Sequence, residues 1–255
     1  MDITLITALI LLVTGLWAGA VNSVAGGGTF FSFPILLLLG MPPLAANTTN
    51  KFALWFASFA GVTGFWREIK AQRTRLWFYF SCGFIGSLLG SLLLLATPAE
   101  KFEALVPWLM LTATMLFAFG KKLVAWVRRH KQAGQAPREK SLFAAIGQTL
   151  IGIYGGFFAA GMGMLMMALY ELVGIKSVNE MNGLKTFVGI AINGISALTF
   201  MAFGMVVWPV ALCLLTGALV GGYFGAVLSK RVPELWLRRA IIFYGTAMSA
   251  YFFSS

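Results

Sequence analysis

Two apolar stretches, residues 3–39 and 141–173, are each too long for one membrane crossing, and each is interrupted by glycines. A helical crossing takes roughly 20 apolar residues. The first stretch carries Gly15 and Gly19, breaks at NSVAGGGTFFSFP (Asn22 to Pro34), and continues as a short apolar arm to Gly40, followed by Lys51. The second carries Gly152 and Gly156, then AAGMGMLMM (Ala159 to Met167), another short arm, Gly174 and Lys185. The spacing between copies is 137 for the first glycine pair, 135 for Gly26/Gly161 and Gly28/Gly163, and 134 for Gly40/Gly174 and Lys51/Lys185. A membrane unit has been duplicated, with small insertions or deletions between the copies.

Composition fixes the class. The chain has 255 residues, 59% hydrophobic and 11% charged, where a soluble domain averages about 25% charged. This predicts an all-α polytopic membrane protein. The opening part of the first stretch, Ile3 to Ala25, has the length of a signal peptide but no basic start and is followed by more membrane sequence, so it reads as part of the mature fold. Six further apolar regions, at about 47–66, 76–96, 102–127, 182–203, 206–229 and 235–253, complete eight in total. They divide into a first repeat (1–127), a basic linker (128–140, RRHKQAGQAPREK) and a second repeat (141–255). The repeats also match at Gly86/Gly217, Gly90/Gly221 and Cys82/Cys213, and Pro98 and Pro233 each open a last helix, where a missing N–H costs least.

The net charge of +11 comes from short basic loops beside apolar segments, the positive-inside signature. There is no basic face interleaved with aromatics, which excludes nucleic acid as a partner. The basic clusters are Arg67 to Arg75, Lys121 to Lys140 and Lys230 to Arg239. Eight simple crossings would strand the third cluster outside. All three lie inside if each broken stretch enters and leaves on one side as a re-entrant hairpin. The expected architecture is therefore two inverted four-segment repeats, each with a broken or re-entrant first segment, a common transporter design. The arms Thr29 to Leu39 and Met164 to Val173 are too short to cross at about 1.5 Å per residue.

Several residues could hold a ligand. Gly26, Gly27 and Gly28 let the chain turn where side chains would clash, and a helix restarting near Thr29 presents free N–H groups and the positive end of its dipole. Gly161 and Gly163 do the same in the second repeat. Gly15, Gly19, Gly86, Gly90, Gly217 and Gly221 read instead as packing glycines. Lys51 and Lys185 each sit about one turn into a helix, where a cation opposes the dipole; either alone reads as a snorkelling lysine, but the matched pair points to an anion. Asn22, Ser23, Thr29, Thr48, Thr49, Asn50, Asn182 and Asn193 add polar groups that serve either substrate or interhelical hydrogen bonds. Glu171 and Glu180 are candidate proton-coupling groups, although the first repeat offers Leu37 and Ala46 in their places. Cys82 and Cys213 read as small packing residues, and most of the tryptophans as an aromatic belt. With one histidine, in a basic loop, no histidine-based metal site can be assembled, and no nucleophile motif or P-loop is present, so neither an enzyme nor a cofactor is expected.

On GLWAGAVNSVAGGGTFFSFPILLLLGMPP, ANTTNK and the weaker repeat from Gly152 to Lys185, the chain resembles the TauE/SafE family of sulfite and organosulfur-anion exporters. Its second repeat departs from the family pattern where AAGMGM replaces a fuller glycine-rich stretch. The resemblance implies a bacterial inner-membrane secondary transporter of a small anion of the sulfite, sulfoacetate or thiosulfate class. The expected site brings Gly28, Lys51, Gly163 and Lys185 around one anion, with rocking of the halves giving alternating access. A homo-oligomer is compatible with this reading. The alternatives are an anion channel and a non-transporting scaffold subunit.

Overall fold

The computed structural model describes residues 4–130, 139–228 and 234–254. The described residues form eleven helices: α1 (Leu5–Ala25), α2 (Gly28–Leu38), α3 (Pro43–Gly64), α4 (Trp66–Lys70), α5 (Arg73–Leu95), α6 (Ala99–His130), α7 (Leu142–Phe157), α8 (Met162–Leu172), α9 (Val178–Ala202), α10 (Trp208–Leu228) and α11 (Glu234–Ser254). Among them there is no strand. Each predicted apolar region is a helix or, for the two long stretches, a pair of helices. Five helices are long and apolar enough to cross a membrane, within α1, α5, α6, α9 and α10. The protein is thus all-helical and membrane-spanning. Most of the basic linker, together with Lys230, Arg231 and Pro233, lies outside the described residues.

Both long stretches break where the glycines are. At the end of α1, Gly26 is left-handed (φ 70°) and its N–H closes the helix on the Asn22 carbonyl at 2.9 Å. Glycine adopts this conformation without a Cβ penalty. Two residues later α2 begins and runs back along α1: a methyl group at Gly28 would come within 2.5 Å of the Ala18 carbonyl oxygen, and the Trp17 and Phe31 rings are 6.5 Å apart. The second break is wider. It spans Phe158 to Gly161, with Gly161 at φ 77° and Ala159 at φ 75°. There α8 folds back on α7, with the Tyr170 hydroxyl donating to Gln148 Oε1 at 3.2 Å and Leu169 against Gly147. Each broken stretch is a helical hairpin.

The two halves of the chain are interlocked. The Gly15/Gly19 strip of α1 lies against Leu214, Ala218 and Gly222 of α10, while Gly217 and Gly221 lie against Leu12 and Leu16. The equivalent pair does the same: Gly86 and Gly90 of α5 meet Thr149, Gly152 and Ile153 of α7, and Gly156 meets Ser87. Added methyl groups at Gly15, Gly19, Gly86, Gly90, Gly156, Gly217 and Gly221 would approach backbone oxygens to 1.9–2.2 Å, so only hydrogen fits. This is small-xxx-small packing at backbone contact. In both pairs the helices run parallel, since contact partners keep a near-constant spacing.

By contrast, α3 and α9 run antiparallel. Trp55 faces Gly194, Ser58 bonds Asn193 and Gly61 meets Thr186, and just beyond α3 Ile69 of α4 meets Gly183. At one end of this pair, Thr48 Oγ1 donates to the Met205 carbonyl (2.7 Å) and Val207 N–H donates to Thr49 Oγ1 (3.1 Å). At the other, Gln72 Nε2 donates to the Glu180 carbonyl (3.0 Å), and Arg75 pairs with Glu139 (2.5 Å) and Glu180 (3.3 Å). That second end gathers Arg75, the last residues of the linker and the start of α9.

Candidate functional site

The two breaks meet. A methyl group at Gly26 would lie 2.9 Å from the Cα of Gly163 and 3.5 Å from Cδ of Lys185. Around this contact is a cavity of about 20 Å³, lined by Asn22, Ser23 and Gly26 from α1 and its cap, Ser58 from α3, Met162, Gly163 and Met166 from α8, and Lys185, Thr186, Gly189 and Asn193 from α9. That is room for about one water molecule. Non-helical backbone at membrane depth is tolerated where it lines such a space.

The lining mixes polar and apolar side chains, and hydrogen bonds hold its polar groups. Ser58 Oγ donates to the Leu54 carbonyl (3.0 Å) and accepts from Asn22 Nδ2 (3.4 Å) and Asn193 Nδ2 (3.3 Å), one amide from each repeat. Ser23 Oγ donates to the Gly222 carbonyl at 2.9 Å. Lys185 Nζ donates to Asn182 Oδ1 at 2.9 Å, one turn back on α9, which orients the ammonium stem. The start of α8 points its first turn into the same space. A lysine, two side-chain amides and a helix amino end form a positive environment suited to an anion; the hydroxyls of Ser23, Ser58 and Thr186 donate to backbone carbonyls instead.

Of the expected residues, Asn22, Ser23, Gly26, Gly163 and Lys185 line this cavity, with Asn182 holding the lysine. Gly27, Gly28, Thr29 and Gly161 do not line it. Gly27 and Gly28 pack instead, against Phe117 and against Ala18 and Asn22 respectively, and Thr29 is buried at the start of α2.

The NTTNK segment takes a different part. Lys51 is fully buried. Its ammonium donates to the carbonyls of Gly155 and Gly156, the latter at 2.8 Å, at the carboxyl end of α7. Asn47, one turn earlier, donates to the Phe157 carbonyl at 2.9 Å. Thr48 and Thr49 hold the α9–α10 connection, and Asn50 Oδ1 accepts a bond from Ser32 Oγ on α2. Lys51, with Asn47, therefore braces the break of the other repeat, Thr49 braces the α9–α10 connection and Asn50 braces α2 of its own repeat; none of them lines the cavity. The arrangement is crossed: Lys51 reaches the second break and Lys185 lies beside the first.

The acids separate too. Glu171 is buried in α8, whereas Glu180 sits in the ion cluster with Arg75 and Glu139, its side chain 39% exposed. Cys82 and Cys213 are both free thiols, half-buried in α5 and α10.

Ser58, Thr186 and Gly189 were not expected. A signal for two of them exists: Lys185, Gly189 and Asn193 recur at i, i+4 and i+8, one polar and small-residue stripe on α9, with Thr186 beside it. Ser58 has no such marker, because its counterpart in the second repeat is Ile192. Among the described residues, no cluster of histidine, cysteine and acid could hold a metal ion.

A family model described as sulfite exporter TauE/SafE matches residues 11–252. The chain is similar to a "Probable membrane transporter protein" of Haemophilus influenzae, 28% identical over 98% of this chain and 96% of the relative. It is also similar to the "Probable membrane transporter protein YfcA" of Escherichia coli K12, 26% identical over 94% of this chain and 87% of that one. A third relative, "Probable membrane transporter protein YunE" of Bacillus subtilis, is 26% identical over 88% of this chain and 89% of its own. No solved structure matches the chain.

Proposed function

The chain belongs to the TauE/SafE sulfite exporter family of membrane transporters, and on that premise we propose that it is a secondary transporter carrying a small sulfur oxyanion or sulfonate across the bacterial inner membrane by alternating access. The observation that carries the reading is the cavity where Gly26 of one break meets Gly163 of the other beside Lys185. In this proposal Lys185 balances the anion's charge and the Gly163 N–H, together with the second amide hydrogens of Asn22 and Asn193, takes its oxygens, while Ser58, whose hydroxyl donates to the Leu54 carbonyl and accepts from both amides, positions those amides. The water-sized cavity fits a closed state better than an open pore, so the anion enters only after the lining moves.

We read the repeats as inverted. The antiparallel pairing of α3 with α9 and the parallel exchange of α1 with α10 and α5 with α7 support that. The same exchange bears on how the molecule moves. Rocking one whole half against the other would pull apart helices held at backbone contact, so the motion is assigned to the short arms α2 and α8 and the breaks that carry them. Glu171, buried on the moving arm α8, is the better placed proton-coupling candidate; Glu180 is held in surface ion pairs.

The test is flux in proteoliposomes loaded with sulfite, sulfoacetate or thiosulfate. Transport of at least one of them, abolished by Lys185→Ala in a protein that remains folded, is the expected result. If none of the three moves, or if Lys185→Ala transports as the parent does, the proposal is wrong.

A further inference from the structure

We infer that the ammonium of Lys51 is a tethered cation occupying a monovalent-cation site built at the carboxyl end of α7. That helix stops at Phe157 inside the protein, where its last carbonyls lack intrahelical partners and carry the negative end of the dipole. The N–H groups of Phe158 and Ala159 both go back to the Tyr154 carbonyl, at 2.8 and 3.1 Å. The carbonyls of Gly155, Gly156 and Phe157 are left over. Lys51 Nζ binds the first two and Asn47 Nδ2 the third. The Asn47 Oδ1 atom is buried with no hydrogen-bond partner, a fourth oxygen beside the same helix end.

A buried lysine ordinarily pairs with a carboxylate, because desolvating a lone charge is costly. The bonds of Lys51 go to main-chain oxygens instead. Neutral carbonyl dipoles around one positive charge are the coordination that alkali cations receive in selectivity filters and at the carboxyl ends of broken transporter helices. Here the covalent ammonium fills the place, so no free coupling cation enters at the second break. The inference is independent of which anion the protein carries, and its test reads stability rather than flux.

Purified protein in detergent is unfolded thermally in choline, sodium or ammonium chloride at equal ionic strength, as the parent, Lys51→Ala and Lys51→Met. Truncation to alanine opens the site. Lys51→Ala is expected to melt below the parent in choline and to regain about 3 °C or more in roughly 300 mM sodium or ammonium, while the parent and Lys51→Met each keep their own midpoint in all three salts, that of Lys51→Met below the parent's. The same Lys51→Ala midpoint in every salt would overturn the inference. If Lys51→Ala is not recovered folded in choline, purification in ammonium decides: folded protein there supports the site, and its absence overturns it. A Lys51→Met midpoint at or above the parent's overturns it as well, since the carbonyls would then need no cation.

Discussion

The ammonium of Lys51 stands 2.8 Å from the carbonyl oxygen of Gly156, a residue 105 positions later, on the other repeat. The bond ties a lysine from the first unit to the break of the second. It separates two residues that sequence symmetry treats alike, since Lys185 lines the cavity and Lys51 does not. Their substitutions should differ accordingly. Lys185→Ala is expected to leave the unfolding midpoint close to the parent's and to lower anion flux at least tenfold. Lys51→Ala removes charge-assisted bonds worth about 1.5–3 kcal/mol each and leaves carbonyls bare, so its main effect is a lowered midpoint. Paired flux and melting measurements on the two variants check this, and equal profiles would refute the division.

Gly189 offers a cleaner probe of the cavity. It lines the space, and a methyl group there has no neighbour within 4 Å. Alanine in a helix interior is favoured over glycine by roughly 0.5–1 kcal/mol. Gly189→Ala should therefore hold or raise stability while lowering sulfite flux several-fold. A variant that transports as well as the parent would show that the anion does not pass this face of α9.

At Gly26 conformation and space act together. Its φ of 70° and its approach to Gly163 both exclude a side chain. Gly26→Ala is expected to cost about 1–2 kcal/mol from the left-handed backbone alone, read as a lowered melting midpoint, with flux lost. Gly204→Ala is the control: it shares the positive φ (67°) but has no neighbour within 4 Å, so it carries the backbone cost without loss of transport.

The two acids can be told apart by the pH dependence of flux. Glu171→Gln, at the buried position, is expected to change how flux responds to an imposed proton gradient. Glu180→Gln breaks an exposed ion pair with Arg75, a contact worth under about 1 kcal/mol, and should leave that response unchanged. If Glu180→Gln alone uncouples transport, the assignment of α8 as the coupling arm fails.

Orientation is tested with a reporter fused at the carboxyl terminus. Inverted repeats with re-entrant hairpins place that end on the outer face, and a cytoplasmic signal would sink them.

Much of this architecture is visible in the residues, and the limits have physical causes. The breaks announce themselves because Gly26-Gly27-Gly28 cannot sit comfortably within an apolar helix. The packing glycines are equally plain, since strips at four-residue spacing have one structural use in a membrane. The helix α4, residues Trp66–Lys70, was not separable from a basic loop: its five residues carry three charges and too few positions for a period. The NTTNK segment does not declare its partners in the sequence, for another reason. Polar residues beside a lysine look the same whether they meet a ligand or a distant backbone, and Asn47, Thr48, Thr49 and Lys51 all find partners more than 100 positions away. Ser58 was hidden because the repeats diverge there, so symmetry gave no hint of it.

The exchange of glycine strips has one further consequence. The groove on α1 that receives α10 does not meet the matching strip of its own repeat, Gly86/Gly90 on α5, which packs instead against α7. A single unit made alone would expose a bare seam of backbone and could close it only against another copy. On the proposed inverted reading, in which α3 and α9 cross head to tail, that copy would have to be threaded into the bilayer upside down. A gene encoding one such unit would need its product inserted both ways up in equal measure, and joining two units through a basic linker removes that requirement.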